Sequence, residues 1–578
     1  MKVKLAKTAG FCMGVRRAME IVMAEANKAE GPLFTFGPLI HNHQVLDLLK
    51  SKGVRVIDTV EGIEEGKIII RAHGIPPQKR QMIENSGLQV IDATCPKVTR
   101  VQAIIRHFTR KGHAAVIVGD QDHAEVIGLM GYSEMPAHVI QQEADVSALP
   151  ELQQPFVVAQ TTQNEKNFRA VVKALERRFP DLEVFDTICD ATHERQQEVR
   201  TFKGQMDGVV VVGGYHSGNT RRLVQISRGG GMPTFHVETE KDLDKKALSQ
   251  MNTIGLTAGA STPHWMIKTV VSEIEQIRGW RETGLIRRAR QALRFLVLSN
   301  LIAAAGAFSL AYGASVLAGK GHTLIFPILA FFYIYAMHVF NRFLDKGASV
   351  YNDPDRAAFL NHYRKLLVIT GLTGIVVALG LAYTVGMVTF LILLGLSALG
   401  VIYSIPVVPK AMKGKARYSR IKDIPGSRSL SEALAWTAVI VVLPTLENGD
   451  ITWHAALATG SMVFSLSYVR AILFSLFQVE GDLMVGTETL PISLGKERTM
   501  QLLKIVLFIT ALILGLSPLL NITAPATCFL LFPLFTLSVC LLAYEKGRLH
   551  PGLMLESLVE SNFLMTGIVV AVGQSLLH

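Results

Sequence analysis

A chain of 578 residues with 58 Lys and Arg against 47 Asp and Glu, a net charge of +11, has room for several domains. Five cysteines and no visible leader argue against a disulfide framework. The mean hydropathy is +0.32, and the basic residues gather in and beside loops between apolar runs. The charge therefore reads as membrane orientation and not as a nucleic-acid surface.

The character of the chain changes near residue 290. Before it, charged and apolar residues are mixed as in a soluble domain; after it, long apolar runs dominate. The expected organisation is a soluble domain over 1–280, a basic linker or interfacial helix over 281–295, and a polytopic membrane domain over 296–578. The stretch Met1-Lys-Val-Lys-Leu-Ala-Lys shows no signal peptide, so the soluble half is expected in the cytoplasm.

In the first half, short apolar runs such as Lys67-Ile-Ile-Ile, Ala114-Ala-Val-Ile-Val and Gly208-Val-Val-Val-Val alternate with charged helical stretches. This predicts an α/β fold with mainly parallel strands. Three Cys turns punctuate it: Ala9-Gly-Phe-Cys12-Met-Gly, Asp92-Ala-Thr-Cys95-Pro and Asp186-Thr-Ile-Cys189-Asp. His41, His123 and Ser217 follow Cys12, Cys95 and Cys189 by 29, 28 and 28 residues, each on a Gly-containing loop. A second set closes later runs at His73, at Thr161-Thr162 and at Ser261. The economical reading is three copies of one α/β unit, over about 1–95, 96–189 and 190–280. Each Cys then stands at a strand-to-helix turn, where a helix N-terminus stabilises a thiolate. Copies related by a pseudo-threefold axis would bring the three thiolates to one point.

Three cysteines without a fourth leave three readings open: a zinc site completed by His, an iron–sulfur cluster with one open iron, or three unrelated buried thiols. The closely spaced Cys pairs usual for zinc are absent. His41, His73, His123, Ser217, Asn219 and Ser261, with Thr161 in the middle copy, supply imidazole, hydroxyl and amide donors on loops after strands. Singly, each has a plainer use as a surface His, a helix cap or an Asx turn, and Ser217 could cap a helix starting near Thr220. Together they suit a diphosphate. Glu125 is the carboxylate of the set, and burial there would raise its pKa toward that of a proton donor.

The motifs Phe11-Cys12-Met-Gly-Val-Arg, Gly37-Pro-Leu-Ile-His41-Asn, Arg71-Ala-His73-Gly, Asp92-Ala-Thr-Cys95-Pro, His123-Ala-Glu125-Val, Gln160-Thr161-Thr162, Thr187-Ile-Cys189-Asp-Ala-Thr and Ala258-Gly-Ala-Ser261 occur in this order. The stretch from residue 1 to about 280 thereby resembles the 4-hydroxy-3-methylbut-2-enyl diphosphate reductases of the methylerythritol phosphate pathway. The resemblance implies a 4Fe–4S cluster on Cys12, Cys95 and Cys189, and a diphosphate held by His41, His73, His123, Ser217, Asn219 and Ser261. It also implies Thr161 near the substrate hydroxyl, Glu125 as proton source, and a ferredoxin or flavodoxin as electron donor. The products would be isopentenyl and dimethylallyl diphosphates. At Gly218, where the family often has Ser, one donor would be a backbone N–H.

Beyond residue 290, nine transmembrane helices are expected, centred near Ala304, Phe332, Val376, Leu394, Ile440, Phe464, Thr510, Leu534 and Val569. The basic loops around 345–365, 410–428, 480–498 and 545–548 then face the cytoplasm, which places the protein in the inner membrane among its lipids. The motifs Asn341-Arg-Phe-Leu-Asp345, Tyr403-Ser-Ile-Pro, Lys422-Asp423, Val479-Glu-Gly-Asp482 and Thr489-Leu-Pro-Ile-Ser-Leu-Gly495-Lys resemble the membrane prenyltransferases of quinone synthesis. That resemblance implies Mg²⁺ and a prenyl diphosphate at Asn341, Asp345 and Asp482. The acidic motifs depart from the family pattern, with Arg342 and Ser349 in the first and Ser475 and Gln478 in the second. Two readings follow for this half: a prenyltransferase with a reduced ligand set, or a non-catalytic anchor or lipid-binding module.

Overall fold

The computed structural model describes residues 1–28, 31–277, 284–317, 324–344, 349–404, 421–447, 453–485, 487–523, 525–549 and 551–577. It divides into two compact units, Met1–Glu282 and Thr283–His578. The first is α/β and the second helical.

The N-terminal strand β1 (Lys2–Leu5) stands apart in sequence from its partners. The next four, β2 (Leu33–Phe36), β3 (Val54–Ile57), β4 (Lys67–Ile70) and β5 (Gln89–Asp92), form one parallel sheet in the order β3-β2-β4-β5. A second, of β6 (Ala115–Val118), β7 (His138–Ile140), β8 (Phe156–Ala159) and β9 (Glu183–Phe185), runs β7-β6-β8-β9. The third takes β10 (Gly208–Val212), β11 (Thr234–Val237) and β12 (Thr253–Ala258), and β1 completes it in the order β1-β12-β10-β11. Read from the other edge, this is the same topology three times, with β1 standing where β5 and β9 stand. The expected unit 1–95 is corrected here: residues 1–5 pair with Thr253–Leu256 and belong to the last unit.

Ten α-helices connect these strands: α1 (Met13–Lys28), α2 (His43–Ser51), α3 (Pro77–Asn85), α4 (Pro96–Thr109), α5 (Ala124–Met130), α6 (Glu165–Arg178), α7 (Asp190–Thr201), α8 (Gly218–Gly229), α9 (Lys245–Ser249) and α10 (His264–Gln276). Inner strands β2, β6, β8 and β10 are buried along their whole length, which is why they read as unbroken apolar runs and not as alternations. The outer strands β1, β3, β5 and β9 are partly exposed and carry polar residues. Each sheet's fourth strand leads into a Cys turn and then a helix, α1, α4 or α7.

Among the described residues of the second unit, seven helices are long and apolar enough to cross a membrane, or eight if a bent pair counts as one span. The pair is Gly284–Leu298 with Leu301–Val316, bent by 73°. Nine spans were expected. Seven coincide with the seven long helices, Ala304 lies in the second arm of the bent pair, and Leu394 lies in Met387–Tyr403, a shorter apolar helix. The first arm of the pair covers most of the expected basic linker and exposes Leu285, Ile286, Leu293, Phe295 and Leu296 beside its arginines. Apolar side chains such as Val376, Phe508 and Phe535 are exposed on the long helices, as a lipid-facing surface requires.

Gly255 in β12 is a test of the close packing. A Cβ there would lie 2.7 Å from Phe202 Cδ2, in a ring only 1% exposed. Gly255→Ala is expected to cost about 1–3 kcal/mol by overpacking, and so lower the soluble unit's melting point by about 2–4 °C per kcal/mol. Temperature-resolved proteolysis of the full chain in detergent measures it; an unchanged midpoint would show that Phe202 gives way freely.

Candidate functional site

Each Cys turn is pinned by the same backbone bond. The Cys12 amide donates to Ala260 O at 3.2 Å, Cys95 to Ala72 O at 2.9 Å, and Cys189 to Thr161 O at 3.0 Å. These carbonyls lie in the loops after β12, β4 and β8, the inner strands of the three sheets. Cys95 and Cys189 immediately precede α4 and α7, in extended backbone, and Cys12 precedes α1. First-turn amides then reach the sulfurs: Val15 to Cys12 Sγ at 3.5 Å, Lys97 and Val98 to Cys95, and Ala191 and Thr192 to Cys189. Burial pushes the Cys95 thiol up, and Cys12 and Cys189 add to the rise. Burial does the same at Cys189, where Cys12 also contributes. The three sulfurs are thus within electrostatic reach of one another. Gly14 allows the approach, since a Cβ at that position would lie 2.5 Å from Cys95 Sγ.

A second cluster stands on the neighbouring loops. The ligand atoms of His41, His73 and His123 all lie within 4.8 Å of one another, with ring centroids 4.5, 5.3 and 5.5 Å apart. His41 Nε2 and His73 Nδ1 are buried without a hydrogen-bond partner, as are both amide atoms of Asn219. His123 Nδ1 accepts the Glu125 amide at 3.1 Å, so a neutral His123 carries its proton on Nε2. Gly218, the first residue of α8, comes close to that nitrogen, a Cβ there lying 3.6 Å from His123 Nε2. Ser217 caps α8 by accepting from the Thr220 amide at 3.4 Å, so its plainer use is realised. Ser261 lies two residues past Gly259, which continues β12 by a backbone bond to Val212 O, and is partly buried.

Three imidazoles within 5 Å could hold a cation or an anion. The His123 tautomer offers an N–H on Nε2, the Asn219 amide has an unpartnered N–H, and both belong with a twelve-residue helix whose first residue, Gly218, comes close to His123, a set that fits an anion. Burial first, then nearby positive groups, holds His41 and His73 below the usual imidazole range, His73 well below, and brings His123 to about 4. Glu125 is 1% exposed and accepts from the Thr161 amide at 2.7 Å and the Thr161 hydroxyl at 2.9 Å. Burial raises its pKa against these two bonds.

In the membrane unit the expected residues are less gathered. Asp345 lies outside the described residues. Asn341 is exposed in the last turn of Ile325–Leu344. Asp482 is buried, and its Oδ1 accepts from Asn352 Nδ2 at 2.8 Å. What the sequence reading missed is a pair of buried ionic networks. Arg470, 4% exposed, donates to Glu560 Oε1 at 2.5 and 3.0 Å and to Glu432 Oε1 at 2.5 Å, and lies 4.9 Å from the Phe474 ring centroid. Arg356 joins Asp353 Oδ2 at 2.9 Å, Asn300 Oδ1 at 3.3 Å and Glu556. The signal was available for Glu432, Arg470, Glu556 and Glu560, as isolated charges inside apolar spans.

Three thiols and a cluster of imidazole and amide groups, on loops beyond the carboxyl ends of strands in three parallel sheets, define a three-unit α/β enzyme domain, joined in one chain to a multi-pass helical membrane domain. Residues 3–275 match the model of the LytB protein family, and residues 299–550 that of the UbiA prenyltransferase family. The chain is 40% identical over 276 residues to the 4-hydroxy-3-methylbut-2-enyl diphosphate reductase of Geobacter sulfurreducens, a match covering 48% of this chain and 98% of the relative. The chain belongs to the LytB family of diphosphate reductases and carries a UbiA-like second half. Among solved structures, the E-1-hydroxy-2-methyl-but-2-enyl-4-diphosphate reductase of Plasmodium falciparum matches at 31% identity, covering 47% of this chain and 87% of its own, with a TM-score of 0.45. A UbiA homolog from Archaeoglobus fulgidus, solved with GPP and Mg²⁺, matches at 18% identity, covering 48% of this chain and 99% of its own, with a TM-score of 0.32.

The depressed His123 makes a pH prediction. Unfolded, it takes up a proton near 6.5; folded, only near 4. Its contribution to stability is therefore complete above pH 6.5 and lost as pH falls toward 4, up to roughly 3 kcal/mol in all. Asn can supply the same acceptor to the Glu125 amide without titrating. His123→Asn is expected to flatten the acid limb of stability between pH 6.5 and 4, read from melting points across that range; parallel limbs would refute the assignment.

Proposed function

We propose that the first half catalyses the reductive dehydroxylation of (E)-4-hydroxy-3-methylbut-2-enyl diphosphate to isopentenyl and dimethylallyl diphosphates, with a 4Fe–4S cluster on Cys12, Cys95 and Cys189. The observation that carries this is the threefold repetition of one cysteine turn, with the same amide bond and the same helix start, beside a cavity of unpaired donors. The donor set fits such a cluster: three thiols within electrostatic reach of one another, each receiving first-turn amides, and no fourth cysteine among the described residues of this unit. When bound, the cluster supplies electrons one at a time and an open iron as Lewis acid for the allylic hydroxyl.

Overall, two electrons and two protons enter, the C–O bond breaks, water leaves, and a C–H bond forms on the allyl fragment. His41, His73, His123, Ser217, the Gly218 amide, Asn219 and Ser261 hold the diphosphate. Its oxygens give His41 Nε2 and the Asn219 amide the partners they lack, and its charge favours protonation of imidazoles that burial otherwise keeps neutral. Glu125 holds a proton at its buried carboxyl and passes it through the Thr161 hydroxyl at 2.9 Å, which stands toward the substrate hydroxyl. A ferredoxin or flavodoxin supplies the electrons.

The second half resides in the inner membrane with the reductase on the cytoplasmic side, a reading supported by the basic loops, of which 405–420 falls outside the described residues. The family match supports prenyl transfer there. One observation favours a second reading, an anchor or lipid-binding module: the Asp482 carboxylate is already engaged by Asn352, and Asn341 is an exposed amide. Among the described residues of the expected set, that pair supplies fewer oxygens than Mg²⁺ demands.

Two experiments test these readings. Replacing any one of Cys12, Cys95 or Cys189 by Ser is expected to remove iron and reductase activity together, whereas Glu125→Gln keeps the iron and lowers turnover by at least about 100-fold; full turnover in Glu125→Gln would remove it from the proton path. For the membrane half, full-length protein in lipid is given labelled prenyl diphosphates of several lengths, Mg²⁺ and aromatic, quinone-precursor and glycerol-phosphate acceptors. Labelled lipid that depends on Mg²⁺ and is lost in Asp482→Asn establishes transfer; no product and no Mg²⁺-dependent binding establishes the anchor.

A further inference from the structure

Arg195 is 4% exposed and stands on α7, six residues after Cys189. Its Nη2 donates to Gly10 O at 2.7 Å and its Nη1 to Ala191 O at 2.8 Å, while Nε is buried without a partner. Gly10 lies two residues before Cys12 and Ala191 two after Cys189, so one guanidinium spans two of the three cysteine turns. Among the described residues it forms no ion pair with a carboxylate. The acidic groups nearest in sequence are Glu194 and Glu198, and Glu198 is committed elsewhere, accepting from the Lys7 amide at 2.7 Å, the Thr8 amide at 2.9 Å and the Thr8 hydroxyl at 2.7 Å.

A buried guanidinium facing only carbonyls costs several kcal/mol unless negative charge lies close by. Burial lowers the Arg195 pKa, and Cys12 and Cys189, ahead of Glu194 and Glu198, act against it. Both cysteines stand on the turns that the guanidinium ties, Cys12 two residues beyond Gly10 and Cys189 two before Ala191. A neutral donor could bridge two carbonyls as well, so the tie alone leaves the charge unexplained.

Taken with the cluster reading above, on which the inference rests, we propose that Arg195 is the fixed positive charge of the three-thiolate centre, a positioning residue that ties the Cys12 turn to the Cys189 helix and makes the bound cluster easier to reduce. Reduction adds one negative charge at the centre. A cation held at fixed distance in a buried site stabilises the reduced form more than the oxidised one.

The test uses the full chain in detergent, anaerobically loaded with iron and sulfide, as wild type, Arg195→Met and Arg195→Lys. Iron content and a redox titration followed by electron paramagnetic resonance are measured. Arg195→Met is expected to hold iron but to show, at fixed potential, a reduced-to-oxidised ratio lower by roughly tenfold, equivalent to about 59 mV for a one-electron couple. Arg195→Lys keeps the charge and should stay within about threefold of wild type. Wild type without iron would overturn the cluster reading and this inference with it. Loaded Arg195→Met titrating with wild type would overturn the role of Arg195 and leave the cluster standing. Should Arg195→Met fail to take up iron, Arg195→Lys decides: wild-type iron and ratio support the charge, and equal loss of iron overturns it.

Discussion

The architecture of the first half depends on one backbone hydrogen bond made three times, from a cysteine amide to the carbonyl of the loop after an inner strand. The cysteine follows an outer strand, so the bond fixes where that strand ends and where the next helix begins. It leaves the thiol at the positive end of that helix, where amides of the first turn reach the sulfur. The accepting carbonyls belong to Ala72, Thr161 and Ala260. Two of these immediately precede His73 and Ser261, and the third is Thr161 itself. One bond, made three times, therefore sets the spacing between each cysteine and the loop residue at the end of an inner strand, His73, Thr161 or Ser261.

Much of this was legible because its grammar is local. Fully buried parallel strands read as short apolar runs, Gly-containing loops follow them, and a Cys or Ser closes each turn, so the repeat could be counted from spacing alone. The place of β1 was not legible. Nothing in Lys2–Leu5 distinguishes a partner at Val54 from one at Thr253, and the pairing that completes the third sheet spans some 250 residues of chain. Arg195 went unremarked for a similar reason: its role is visible only once Gly10 is known to lie against α7. Ser217 was marked for ligand binding and as a cap, and its side chain caps the helix that begins with Gly218 and Asn219 while its hydroxyl hydrogen remains to donate.

The membrane half was less legible for a physical reason. Hydropathy reports length and polarity, and the bent pair and the short Met387–Tyr403 helix both fall at the margin of that signal. Acidic motifs report candidate ligands, but Asp482 is held by Asn352, which no spacing reveals. The charges that stand out inside apolar spans, Arg470 with Glu432 and Glu560, answer each other across three helices.

The two halves handle buried polarity in opposite ways, and the contrast separates a binding site from a network that holds helices together. In the first half, three imidazoles are gathered near an amide whose two polar atoms lack a partner, none of the imidazoles is in an ion pair with a carboxylate among the described residues, and burial keeps them neutral. Leaving such atoms unpaired costs each about 1–3 kcal/mol, a cost recovered when a multiply charged anion enters. In the second half, the two buried arginines among the described residues meet carboxylates: Arg470 meets Glu432 and Glu560, and Arg356 meets Asp353 and Glu556. Removing one partner there leaves an uncompensated charge, so those contacts fix the helix packing before any ligand arrives.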